Sequence, residues 1–262
     1  MSRSRRTWLI AGLGLLLMLA LLLPEQAILF AGAAAGWALA VTYLFRSRER
    51  MQYQKAIRHM RRGEYEQGIR IMDSLIDEGP DSLDYRQIRA QLYRLSSDLQ
   101  RAAADYEWMV ARGLGAVPAC IGLAEINIRQ GDYDQAREHA RAALNRDANN
   151  WAAAYDLGLI EDRQGSADAA VTALEAALKA GIPHSRFRLL ARLWLARSYH
   201  RLGRDDDAEK QIALLRREKK GLREWQTILE SDQGAVLRDL LEYDVQLAQE
   251  LVESEGTLAA LD

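Results

Sequence analysis

The chain has 262 residues, 27% of them charged, a net charge of −2 and a single cysteine, Cys120. One cysteine excludes a disulfide framework and a thiolate metal site. Charge is unevenly divided: residues 1–50 hold six arginines against two glutamates, so the remainder carries −6, which argues against a sequence-independent grip on nucleic acid, since that needs a basic face.

The first predicted elements are two charge-free runs, Thr7 to Leu23 and Ala27 to Phe45, joined by Pro24, Glu25 and Gln26. Runs of 17 and 19 residues lie at the short end of what crosses a bilayer, roughly 17–25 residues. Residues 1–46 therefore read as an N-terminal transmembrane helical hairpin, with spans at about 7–23 and 27–45. Pro24 suits the tight link because it cannot continue a helical ladder. Arg3, Arg5 and Arg6 precede the pair, and Arg46, Arg48 and Arg50 come after it. The positive-inside rule then puts both ends in the cytoplasm, with the rest of the chain on that face of the inner membrane. A cleaved secretory signal, or one span with an outward-facing body, is the competing reading; no A-x-A-like site follows the first run. Gly32 and Gly36 form a G-x-x-x-G step, which can pack the two spans together or dock a partner's membrane helix. Between Gly36 and Gly63 there is neither Gly nor Pro. The second span is thus able to continue as one helix into the segment that ends at Arg62, a break near Arg46–Arg50 being the alternative.

Residues 47–216 repeat themselves. The phrase "RQGDYDQAREHARAAL" from Arg129 has counterparts from Arg61, Leu95, Arg163 and Arg201, anchored on Gly63, Ser97, Gly131, Gly165 and Gly203 at spacings of 34, 34, 34 and 38 residues. The glycine supplies a left-handed stop to one helix, and the acidic turn after it starts the next. Asp205, Asp206 and Asp207 belong to such a turn, not to a metal cage. Five residues after each anchor stands a small residue (Gly68, Ala102, Ala136, Ala170, Ala208), and seven before it another (Ala56, Ala90, Ala124, Gly158, Ala196). Small side chains at two fixed places let paired helices approach closely.

Residues 217–262 predict two more helices that cap the array, the second with Val236, Leu240, Tyr243, Leu247 and Leu251 near one face; a partner-binding amphipathic helix is the sharper alternative. The tail from Glu255 is expected to fray.

The period and the small-residue sites resemble the tetratricopeptide repeat family, a 34-residue helix–turn–helix unit. The expected Trp near the start of helix A is absent, and the late Pro survives clearly only as Pro80. The resemblance implies an all-α fold: the hairpin, then a right-handed solenoid of five repeats, then C-terminal capping helices. It also implies an inner groove lined by helix A. Carried over position by position, that lining is Tyr53, Ile57 and Met60; Gln87, Gln91 and Arg94; Ile121, Glu125 and Ile128; Tyr155, Leu159 and Asp162; and Leu193, Arg197 and His200. Such a groove suits an extended peptide or a helix. The Lys and Asn with which one subclass clamps a C-terminal carboxylate are missing: Tyr53, Ile57, Gln87 and Gln91 stand there.

Nothing in the sequence points to catalysis. His59, His139, His184 and His200 show no H-E-x-x-H spacing, and there is no G-x-S-x-G or phosphate loop. No catalytic, cofactor or metal residues are expected, and Cys120 reads as a buried structural thiol. The expected function is a membrane-anchored adaptor that binds protein partners, and through its hairpin the bilayer and other membrane proteins, in assembly or regulation of a membrane complex. The rivals are an outward-facing envelope scaffold and a regulatory subunit of a membrane-bound enzyme complex.

Overall fold

The computed structural model describes residues 3–231, 234–253 and 258–261, and among them there is no strand. The chain divides into two compact units, residues 1–96 and 97–262.

In the first unit, α1 (Arg3–Leu22) leads through a short 3-10 turn (Pro24–Gln26) into α2 (Ala27–Arg61). α2 is unbroken over 35 residues, about 52 Å of axis. Its first half is apolar and exposed, with Ile28 at 88%, Leu39 at 72% and Tyr43 at 74%, while Ala56 in its second half has no exposed surface. α1 packs along α2. Their close approach is at Gly12, where an added Cβ would lie 1.8 Å from Nε1 of Trp37. Gly32 and Gly36 have nothing within 4 Å of such a Cβ. The indole thus lies against a different glycine while staying 37% exposed, and the G-x-x-x-G step faces outward. α3 (Tyr65–Glu78) folds back on α2, and α4 (Leu83–Leu95) packs on α3. Gly68 lies under Leu92, whose Cδ2 would be 2.8 Å from an added Cβ.

The second unit holds α5 (Leu99–Ala111), α6 (Ala116–Gln130), α7 (Tyr133–Leu144), α8 (Trp151–Arg163), α9 (Ala167–Ala180), α10 (Ser185–Arg201), α11 (Asp205–Leu215), α12 (Lys219–Glu230) and α13 (Ala235–Glu253), then a 3-10 turn (Leu258–Leu261). α6 with α7, α8 with α9, and α10 with α11 form antiparallel pairs, each packed on the next. The anchor residue closes each first helix with a positive φ: 75° at Gly63, 77° at Gly131, 74° at Gly165, 69° at Gly203, and 65° at Ser97, which has no glycine's freedom. In two of the units an aspartate then caps the second helix. Asp98 accepts from the backbone N–H of Arg101 at 3.1 Å, and Asp132 from that of Gln135 at 3.1 Å, each such cap contributing about 1 kcal/mol. All ten small residues singled out above are buried. At Gly158 an added Cβ would meet Leu174 Cδ2 at 2.4 Å and Cγ at 2.5 Å.

The C-terminal helices do not extend the stack as the next pair. α12 packs chiefly on α10 instead of α11, and α13 packs on α12, α10 and α11. The backbone approach is tight: a Cβ on Gly221 would lie 2.5 Å from the Ser185 carbonyl. Trp225 Nε1 donates to the Arg186 carbonyl at 2.8 Å, and Glu218 accepts from Arg188 Nε at 2.8 Å and from Ser185 Oγ at 2.7 Å. Burial pushes the Glu218 carboxyl up, but these two donors outweigh it and hold it below its ordinary value. The buried face of α13 differs from the expected one: Val236 and Tyr243 are exposed, and Leu241, Asp244, Val245, Leu247, Ala248 and Leu251 are buried. Apolar periodicity alone misplaces this face because an acid occupies its centre. The tail also departs from expectation. Leu261 is buried and the Leu258–Leu261 turn packs on α10 and α11; residues 254–257 and Asp262 lie outside the described residues.

Candidate partner-binding face

The candidate groove is the face of the first helix of each pair. In the first unit that face belongs to α2 and α4. Tyr53, Ile57 and Met60 on α2, and Gln87, Gln91 and Arg94 on α4, are all partly accessible. Tyr53 and Tyr85 bring their ring centroids to 6.0 Å, and a cavity of about 320 Å³ opens beside them between Arg46, Arg50 and Asp84. Burial first, then the Asp84 carboxylate, raises the Tyr53 phenol.

In the second unit the face is divided. Ile121 and Glu125 on α6 are partly accessible. Ile128, Tyr155, Leu159 and Leu193 are buried, and so line no open groove here; Asp162 and Arg197 are buried as well, and border only a cavity of about 200 Å³ shared with Tyr243 and Leu261. The physical reason on α10 is the C-terminal pair: α12 and α13 pack across α10 and join its apolar cluster, while Ile128 lies on α6, which packs on α8. Tyr155 packs at a tilt against Trp194 (centroids 5.1 Å apart) and edge-on to Phe187 (5.4 Å), which in turn meets Trp225 of α12 (5.9 Å). Burial first, then Asp156 and Asp244, raises the Tyr155 phenol well above its ordinary value. His200 is partly accessible and its Nδ1 lies 2.7 Å from Asp205.

At the centre of the covered face is a buried ionic cluster. Arg197 donates to Asp162 at 3.2 Å and 2.6 Å, and to Asp244 of α13 at 3.1 Å. Arg201 donates to Asp162 at 3.2 Å, and Arg163 to Asp244 at 2.5 Å. Burial pulls the Arg197 pKa down, and the hydrogen bonds and charges of Asp162 and Asp244 more than reverse it. Arg197 therefore stays a cation although it is almost wholly buried, and with Asp162, Arg163 and Arg201 it borders a cavity of about 200 Å³. Trp194, Arg163 and Asp244 were absent from the sequence-derived lining; the signal for them is an aspartate in the middle of the apolar stripe of α13.

No group of three or more His, Cys, Asp or Glu among the described residues is placed to hold a metal. Cys120 is buried, and burial raises its thiol, which makes it a poor nucleophile.

A tetratricopeptide repeat family model matches residues 53–113, 121–186 and 163–221. Among solved structures, MamA AMB-1 is 19% identical with a TM-score of 0.52, covering 67% of this chain and 94% of its own. Another crystal structure of MamA is 18% identical with a TM-score of 0.54, covering 63% and 94%. A thermophilic TPR protein of Thermus thermophilus is 20% identical with a TM-score of 0.52, covering 66% and 98%. At these identities the likeness shows the fold alone. No curated protein matches in a sequence search.

Proposed function

The chain belongs to the tetratricopeptide repeat family, and from that premise we propose that it is a membrane-anchored scaffold whose repeats bind protein partners at the cytoplasmic face of the inner membrane, in assembly or regulation of a membrane complex. The observation that carries this reading is α2. One helix joins an apolar, exposed segment to the core of the first repeat, with Ile28, Leu29, Leu39, Tyr43 and Leu44 all more than half exposed. An exposed apolar face of that extent marks a membrane or partner surface. Basic residues flank it at Arg46, Arg48 and Arg50, as the positive-inside rule requires of a cytoplasmic end. Partner binding would fall first to the accessible positions, Tyr53, Ile57, Gln87, Gln91, Ile121 and Glu125.

A second reading has its own support. Among the described residues, only α2 is both long and apolar enough to span by length and composition; the apolar part of α1 is the shorter Thr7–Leu22. A single insertion, or a signal segment, would turn the repeats outward. Four measurements test the proposal. Alkaline extraction of membranes should leave the full chain in the pellet, and removal of residues 1–46 should release a soluble helical fragment. A topology reporter fused after Asp262 should report the cytoplasm; an external signal supports the single-span rival. Photocrosslinkers at Gln87 and Ile121 in intact membranes should capture proteins, and silence at both positions sinks the binding assignment.

A further inference from the structure

The apolar stripe of α13 is interrupted by one acid. Leu237, Leu240 and Leu241 precede it and Leu247, Ala248 and Leu251 come after, at helical spacing; Asp244 stands between them with no exposed surface. A carboxylate is costly in such a stripe unless donors surround it. They do. Trp194 Nε1 donates at 2.8 Å, Arg197 Nη1 at 3.1 Å and Arg163 Nη2 at 2.5 Å, and Arg163 reaches the Leu240 carbonyl at 2.8 Å as well. The donors come from α8 and α10, whose first-helix face also supplies Tyr155 and Leu159. Without α13, Arg163 and Arg197 would both lose Asp244, while Asp162 would still pair with Arg197 and Arg201. That face is built to select an acid.

A lid meant only to shield the last repeat has no need of this. Apolar side chains of similar volume do as well or better in a buried position, whereas a buried charge fixes register and rejects the wrong helix. We propose that the face of α8 and α10 is a receptor for an amphipathic helix carrying a single carboxylate at the middle of its apolar stripe, and that α13 occupies it in cis until a partner helix of that pattern replaces it. This rests on the reading that first-helix faces bind protein partners. It adds what the partner looks like: apolar residues three to four and seven positions before and after one Asp, the acid seated on Arg163, Arg197 and Trp194.

The test uses the full chain in detergent and a fluorescein-labelled synthetic peptide of residues 235–253, with a second peptide bearing Asn at the position of Asp244. Asp244→Lys in the full chain sets a cation against Arg163 and Arg197 and expels α13. That variant is expected to bind the Asp peptide at least tenfold more tightly than the wild-type chain does, and the Asn peptide at least tenfold more weakly than the Asp peptide. A folded variant that binds neither peptide, or both equally, overturns the proposal. If the variant fails to fold by circular dichroism, hydrogen exchange on the wild-type chain decides: α13 amides exchanging at least tenfold faster than those of α10, and faster still with excess Asp peptide, support it, and equal protection overturns it. A concentration-dependent wild-type dimer with exchanged α13 helices overturns the partner assignment in favour of a second copy. Crosslinks at Gln87 or Ile121 without peptide uptake would sink this inference alone. Peptide uptake by a chain that washes off membranes would sink only the anchoring.

Discussion

Gly158→Ala separates two forces that predict opposite signs. Gly158 lies inside α8, where alanine is favoured over glycine by about 1 kcal/mol on helix propensity alone. Packing says otherwise. The new Cβ would stand 2.4 Å from Leu174 Cδ2, 2.5 Å from its Cγ and 3.5 Å from its backbone N. Ordinary carbon contacts need about 3.5–4.0 Å, so the overlap is about 1 Å. Leu174 cannot swing clear: it has no exposed surface, and Cγ is its branch point, not a free end. α9 must retreat, or Leu174 must leave its rotamer, at a cost near the upper end of the about 1–3 kcal/mol typical of overpacking. The net expectation is a loss of about 2 kcal/mol, or about 4–8 °C in Tm for a chain of this size. Thermal and urea unfolding in detergent would read it. The double-mutant cycle sharpens the test. Leu174→Ala alone should cost about 2–5 kcal/mol, and about 1–2 kcal/mol less in the Gly158→Ala background, where the new methyl occupies part of the vacated space. A Gly158→Ala chain that is as stable as wild type, or more so, refutes the packing argument and leaves propensity as the governing term.

Ser97→Gly should stabilise by up to about 1 kcal/mol, because a serine at φ 65° pays a left-handed penalty that glycine escapes; a loss on urea unfolding would show that the serine side chain matters more. Glu218 has a folded pKa below its unfolded value near 4.5, so its contribution is complete above that pH and is lost as pH falls through the folded value. Glu218→Gln should therefore lower stability at neutral pH and flatten the acid limb of the stability–pH curve; an unchanged limb rejects the Arg188 and Ser185 bonds as its cause. The Tyr199 phenol is pushed up to about 12 by burial and by its hydrogen bond to Glu175. Tyr199→Phe should remove one late-titrating phenolate from the alkaline absorbance titration, while the stability the bond supplies is present below about pH 10 and lost as pH rises through about 12. Cys120, buried with a raised thiol, should react with a thiol reagent only at the rate of local opening, and reaction at the rate of a free thiol in the native chain would contradict its placement.

The repeats were legible because their constraints are local and recurrent. A backbone that must turn left-handed every 34 residues writes glycine there, and close helix crossings write small residues, so the anchors and the small sites stand out of one sequence. Ser97 keeps the geometry without the glycine, which shows that the period carried more information than the residue type. Other features were hidden for equally physical reasons. The G-x-x-x-G pattern drew attention to Gly32 and Gly36, but which glycine meets the other helix depends on how α1 and α2 are rotated, and Trp37 settles on Gly12. The α13 face departs from unbroken apolarity, which points to Val236 and Tyr243, because Asp244 is admitted to the stripe by donors on α8 and α10, far away in sequence. The groove positions Tyr155, Leu159, Asp162 and Arg197 were placed on the right helices but could not be known to be covered, since nothing within a repeat announces what folds onto it.

The unbroken α2 gives the proposed anchor a mechanical consequence. Its hydrogen-bond ladder continues from the exposed apolar half through Arg46, Arg48 and Arg50 to Ala56, and neither glycine nor proline interrupts it between Gly36 and Arg61. A helix lacking both has no local hinge. On the proposed reading, Tyr53 then stands about 12 Å along the axis from residue 45, where the apolar run ends, and Ile57 about one turn further. The accessible positions on α2 would meet a partner at a fixed height above the lipid headgroups and at a fixed rotation about the helix axis. Selection would thus act on where a partner presents its helix as well as on its sequence, a constraint that a flexible linker between anchor and first repeat could not impose.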